Sequence, residues 1–95
     1  MPKVRLSYFG AIRAAAGKPE EETEFLADTT VYQLLRNLAG IHGGVFLGEI
    51  FEKNEFREDI TITVNDMVVS HADLFKTILK PGDKLALLPI FPGGG

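Results

Sequence analysis

"TVYQLLRNLAG", residues 30–40, is the stretch from which the rest of this chain is read. Thr30 stands just before an apolar series, and Gln33 follows it by three residues, the spacing of a capping box. Val31, Leu34, Leu35 and Leu38 then recur at i, i+3, i+4 and i+7, which lines one face of a helix. The pattern predicts an amphipathic helix of roughly ten residues, with Gly40 expected at its left-handed C-terminal position. A single apolar stripe needs a partner surface, and the flanking sequence offers strands.

Upstream, Lys3 to Phe9 alternates: Val4, Leu6 and Tyr8 on one side, Lys3, Arg5 and Ser7 on the other. That period of two is a half-buried strand. "AIRAAAG", residues 11–17, suits a turn or two of helix before Lys18-Pro19. "EEETEFLA" then predicts a second strand, whose four glutamates fit a solvated edge. Downstream, residues 41–59 are interrupted by Gly43, Gly44 and Gly48, so a short helical turn inside a long connection is expected. Ile60, Ile62 and Val64 alternate with Thr61 and Thr63, and Asn65-Asp66 offers a tight reversal into Met67 to Ser70, a hairpin. "ADLFKTILK" suits a short helical connection. Pro81 and Gly82 occupy the central positions of a type II turn, and the last strand, Lys84 to Leu88, is apolar enough for the middle of a sheet. Strand, strand, helix, hairpin, strand is the order of a β-grasp, an α+β fold with a mixed sheet of four to five strands under one main helix. The expected organisation is one such domain over residues 1–88 and an extended tail over 89–95.

Composition narrows the function. Ninety-five residues with 45% hydrophobic and 24% charged side chains make an ordinary globular domain with one modest core. Net charge is −3 with scattered lysines and arginines, which argues against nucleic acid or an anionic membrane as partner. The lack of cysteine removes disulfides, thiolate catalysis and cysteine-based metal sites. "MPKVRLSY" reads as a strand rather than a signal peptide, and no run approaches a membrane span, so the expected location is cytoplasmic. His42 and His71 fall in loop-like contexts without a partner at a diagnostic spacing. The glutamates of "EEETE" have no opposing acid. Gly43-Gly44 lacks the lysine and the strand–glycine–helix context of a phosphate loop. No metal site and no catalytic machinery are expected, and the chain is not expected to be an enzyme.

That leaves "LLPIFPGGG", residues 87–95. An idle end is one reading, because terminal residues are often without a role. The glycines, however, follow the last strand with no polar spacer. From Pro89 to Gly95 an extended chain reaches roughly 20–25 Å, and Pro89 and Pro92 keep its base out of the sheet. The side-chain-free end, Gly93 to Gly95, would thread a narrow channel. Its one reactive group is the Gly95 carboxylate, which becomes electrophilic only when activated, for instance as an acyl-adenylate.

A β-grasp order, "YFGAIRAAAG" after strand one, "VND" at the hairpin, "PGDKLALLP" into the last strand and a terminal Gly-Gly together resemble the small sulfur-carrier subunit of molybdopterin synthase, among the MoaD/ThiS-like ubiquitin-like proteins. The resemblance covers nearly the whole chain. It implies that an E1-like adenylating enzyme activates Gly95 with ATP, which is bound by that partner and not by this chain. A sulfurtransferase system would convert the end to a thiocarboxylate, and the large synthase subunit would use the sulfur to build the dithiolene of molybdopterin. By position, Gly95 is the adenylated and thiocarboxylated residue, with Gly94 and Gly93 behind it. Phe9, Val68 and Leu88 match the apolar docking patch beside the tail, Arg13 matches a basic position after strand one, and Phe91 joins them as a partner-binding candidate. Relatives commonly lead into the diglycine with a Pro-Pro-Val type sequence, whereas this chain has Ile90-Phe91-Pro92 and a third glycine. A modifier conjugated to lysines through Gly95, a carrier for thiamine, tRNA thiolation or cysteine synthesis, and a plain interaction domain are the rival readings.

Overall fold

In the computed structural model, which describes residues 2–90, the chain runs β1 (Lys3–Tyr8), α1 (Gly10–Ala16), β2 (Glu20–Glu24), α2 (Val31–His42), α3 (Gly44–Ile50), β3 (Phe51–Glu52), β4 (Glu55–Phe56), β5 (Ile60–Val64), β6 (Met67–Val68), α4 (His71–Leu74) and β7 (Lys84–Pro89). Five strands form one sheet in the order β2-β1-β7-β5-β6, and β3 and β4 make a separate two-stranded ribbon. The last strand therefore sits in the middle. It is parallel to β1, with Leu6 opposite Leu85 and Tyr8 opposite Leu87, and antiparallel to β5, with Ile62 opposite Leu87. The expected β-grasp, helix across a mixed sheet, is the observed architecture.

Alternation along the strands sorts the side chains. Val4, Leu6, Tyr8, Ile60, Ile62, Leu85 and Leu87 are buried and face the helices, where Val31, Leu34, Leu35 and Leu38 supply the α2 stripe. Fully burying one such aliphatic side chain contributes about 1.5–3 kcal/mol, so this interface holds the domain together. α3 adds Phe46 and Ile50 and α1 adds Ile12, all essentially inaccessible. The Thr30 hydroxyl accepts from the Gln33 N–H at 3.1 Å, and the Gln33 side chain accepts from the Thr30 N–H at 3.0 Å, completing the capping box.

Three expectations need correction. Gly40 does not end α2; the helix continues to His42, and Gly43 terminates it with φ of 104°. Gly40 lies on the exposed outer face, while Ala39 and His42 pack inward, and their contacts outweigh the roughly 1 kcal/mol that an interior glycine forfeits. Residues 41–59 are not a long connection with one turn but two full turns of α3 and the β3–β4 ribbon. The second strand of the hairpin is shorter than Met67 to Ser70, because Ser70 instead caps α4 by accepting from the Asp73 N–H. Asn65 and Asp66, both at positive φ, make the tight reversal as expected, and Gly82 at φ of 85° completes the turn before β7.

Replacing Thr30 with alanine removes the hydroxyl that accepts from the Gln33 N–H and leaves the backbone N–H of residue 30 to donate to the Gln33 side chain. Urea unfolding of Thr30→Ala is expected to show a loss of about 1 kcal/mol with an unchanged denaturant slope.

Candidate functional site

Two surfaces remain after the core is accounted for: the sheet face away from the helices, and the place where β7 delivers the chain end. Across the open face, Ser7, Ala86, Thr63 and Val68 form one row through their strand pairings. The next row holds Leu88 and Thr61. Phe9 keeps an extended backbone, with φ of −132° and ψ of 154°, and its N–H donates to the Leu87 carbonyl at 3.2 Å. Continued alternation places it beside Leu88. The three apolar candidates, Phe9, Val68 and Leu88, therefore share one face, with Phe9 and Val68 standing 44% and 72% exposed and Leu88 half-buried. The other end of this face is charged: Arg5 meets Glu20 at 3.3 Å and Glu22 at 3.9 Å, and Lys3 meets Glu22 at 3.9 Å. Such solvent-exposed pairs contribute little to stability, but they make the face apolar at one end only.

The apolar end is the one from which the chain leaves. Contrary to expectation, Pro89 does not stay out of the sheet: it is the last residue of β7 and pairs with Ile60, an arrangement that needs no donor from proline, and the Ile90 N–H donates to the Asp59 carbonyl at 2.8 Å. Arg57 grips the Asp59 carboxylate through two nitrogens at 2.9 Å each, and these hydrogen bonds hold that carboxyl below the usual range. On the opposite side, Gly10 adopts φ of +58°, and a Cβ there would come within 2.7 Å of the Pro89 ring. The start of α1 thus packs against the base of the tail with no room for a side chain. Arg13 lies on α1 with an exposed side chain. Phe91, Gly93, Gly94 and Gly95 lie outside the described residues.

The histidines differ from expectation. His42 is no loop residue: it is the last residue of α2, its Nε2 lies 2.5 Å from Glu21 Oε2, and the same oxygen accepts the Tyr8 hydroxyl at 2.5 Å. The His42 ring packs 4.8 Å from Phe46, which in turn meets Tyr8 edge-on at 5.5 Å. His71 opens α4 and its Nε2 bonds the Ile60 carbonyl at 2.9 Å. The signal for the first cluster lay in strand parity: Tyr8 points inward with a hydroxyl that needs a partner, and Glu21 has inward parity on β2. Both histidines tie elements together. Among the described residues no group of three or more His, Cys, Asp or Glu side chains is arranged to hold a metal ion, and no buried side-chain polar atom lacks a partner. No described helix is long and apolar enough to cross a membrane.

Comparison with known proteins gives a consistent picture. The sequence model of the ThiS family matches residues 6–94. No curated protein matches the chain. Among solved structures, small archaeal modifier protein 1 of Haloferax volcanii is similar with a TM-score of 0.82 and 22% identity over 96% of this chain and 100% of that one, a likeness of fold. The Pyrococcus furiosus protein assigned as molybdopterin converting factor subunit 1 is 30% identical over 96% of this chain and 100% of that one, with a TM-score of 0.73. Small archaeal modifier protein 1 of Methanosarcina acetivorans is 29% identical over 99% and 98% of the two chains, with a TM-score of 0.76.

The Tyr8 cluster makes a prediction for alkaline pH. Burial first, then the hydrogen bond to Glu21 and its charge, push the Tyr8 phenol well above its ordinary value. A raised folded-state value stabilises fully below the unfolded value of about 10, and that stabilisation is lost as pH rises beyond it. Urea midpoints measured across increasing pH should fall more steeply above about pH 10 for the natural protein than for Tyr8→Phe.

Proposed function

This chain belongs to the ThiS family of ubiquitin-like sulfur carriers, and from that premise we propose that it works through the carboxylate of Gly95. The fold is the presenter and the chain end is the reagent. In the first step the Gly95 carboxylate oxygen attacks the α-phosphorus of ATP held by an E1-like adenylating enzyme, and pyrophosphate leaves. Sulfur supplied by a sulfurtransferase system then displaces AMP, leaving a thiocarboxylate. In the last step the large subunit of molybdopterin synthase takes the tail into its own active site, and the sulfur passes to the pterin precursor. General bases and oxyanion donors belong to those partners, and this chain binds no cofactor of its own.

The observation that carries the proposal is the junction of β7 with the open face. The chain end leaves from the centre of the sheet, braced by Asp59 on one side and Gly10 on the other, beside Phe9, Leu88 and the exposed Val68. An apolar patch at the root of a slim arm lets a partner grip the body while the glycines enter its channel. Phe9, Val68 and Leu88 are assigned to that grip, Arg13 to its basic margin and Phe91 to the first reach of the arm. The molybdopterin pathway is favoured by the 30% identity to the Pyrococcus furiosus converting-factor protein.

A second reading has its own support in the 29% identity to the Methanosarcina acetivorans modifier. There the activated Gly95 carbonyl is captured by a lysine amine instead of sulfur, giving an isopeptide bond. Both readings share the adenylation step and part only at the nucleophile.

ATP–pyrophosphate exchange with the adenylating enzyme of the same organism tests the shared step. The full chain should support exchange, and a chain lacking Gly94 and Gly95 or extended beyond Gly95 by one alanine should not. Exchange that persists with the blocked end would contradict the proposal. For docking, Val68→Asp should weaken binding to the large synthase subunit about thirtyfold or more, the scale of a central interface residue. Its melting temperature should stay unchanged, because Val68 is 72% exposed.

A further inference from the structure

A second exposed apolar surface lies on the helix side of the sheet. Of the described residues, Ile41 and Leu26 are among the most exposed apolar ones, at 74% and 70%, and they stand on the rim of the same groove. This groove of about 260 Å³ runs between β2 and α2, with Phe25, Leu34 and Leu38 in its lining. Those three are nearly inaccessible and belong to the core, so the groove has a rigid apolar floor.

Beside the groove runs the longer of the sheet's two open edges. β2 pairs only with β1, whereas the opposite edge, β6, is two residues long. The Tyr8 N–H donates to the Pro19 carbonyl and the Phe25 N–H to the Pro2 carbonyl. In an antiparallel ladder the residues that bond the neighbouring strand alternate with those that face away. The backbone N–H and C=O groups of Glu20, Glu22 and Glu24 therefore point out of the sheet, toward any strand that comes alongside. Their side chains lie on the open face, where Glu20 and Glu22 pair with Arg5 and Lys3 and Glu24 stands opposite Lys3 in register.

We propose that the β2 edge and the β2–α2 groove receive an extended basic segment of a partner protein, which adds to the sheet as a further strand. Side chains of an added strand alternate between faces. On one face they would enter the groove between Leu26 and Ile41 and must be apolar. On the other they would stand beside Glu20, Glu22 and Glu24 and must be cationic. The pattern sought is thus alternating apolar and basic. A second copy of this chain is the wrong occupant: β2 against β2 would set Glu20, Glu22 and Glu24 of each strand against one another, and like charges directly opposite destabilise a pair. The same charges keep an otherwise open edge from self-association.

The test uses the full chain and a capped synthetic peptide of about seven residues, one strand length, that alternates lysine with leucine. NMR titration should shift the amides of Glu20 to Leu26 and of Leu34 to Ile41. Methylating the peptide's alternate backbone nitrogens, or replacing its lysines by glutamate, should weaken binding at least about tenfold. Ile41→Asp and Leu26→Asp should do the same while keeping the folded spectrum, since both residues are mostly exposed. Equal binding of the N-methylated peptide would overturn the proposal whatever the variants do. So would shifts centred on Phe9 and Val68, or a concentration-dependent dimer formed through β2. Exchange at Gly95 is not involved in this titration, so its outcome is separate from that of the sulfur-carrier reading.

Discussion

The parallel pairing of β1 with β7 is the constraint on which the rest depends. It joins the two ends of the chain in the middle of the sheet, with Leu6 beside Leu85 and Tyr8 beside Leu87. The other strands of the five-stranded sheet are placed outward from that pair: β2 and β5 on either flank, β6 beyond β5. Because the pair is central, its inward side chains have helices over them and its outward ones sit in the broadest part of the open face. A C-terminal strand at an edge would have delivered the chain end away from any docking surface. Here Leu88 lies between Phe9 and Thr61, on the apolar end of the open face.

The same pairing explains why the base of the tail is firm. Pro89 cannot donate a hydrogen bond, yet it occupies a strand position opposite Ile60, and the next donor, Ile90, finds the Asp59 carbonyl. Gly10 is needed on the other flank because its backbone adopts a left-handed φ and its missing Cβ leaves room for the proline ring. A rigid root with a slim end suits chemistry that is done elsewhere. Under the proposed carrier role the fold contributes presentation, and reactivity would be supplied by the enzymes that receive the end.

Much of this was legible in the sequence because the signals were local. The Thr30–Gln33 capping box, the α2 stripe, the β1 alternation and the Asn65-Asp66 reversal each depend on residues within a few positions of one another. The docking candidates Phe9, Val68 and Leu88 also fall on one face, which follows from strand parity once the strand order is known. What escaped depended on distant contacts. Gly40 looked like a helix end until Glu21, on another element, tied down His42 and carried α2 one turn further. α3 was obscured by its glycines, and its helical state rests on Phe46 and Ile50 reaching the core. The β2–α2 groove has no sequence signature at all, since Leu26 and Ile41 meet only through the fold.

The account stands or falls on the chemical state of the last carboxylate. Intact-mass and fragmentation analysis of the protein isolated from its own cells measures it directly. The account predicts a fraction in which one oxygen of Gly95 is replaced by sulfur, with the change localised to the terminal fragment and absent when Gly94 and Gly95 are deleted. Cells that build molybdopterin with a chain lacking Gly94 and Gly95, and a natural protein whose end is always an unmodified carboxylate, would contradict it.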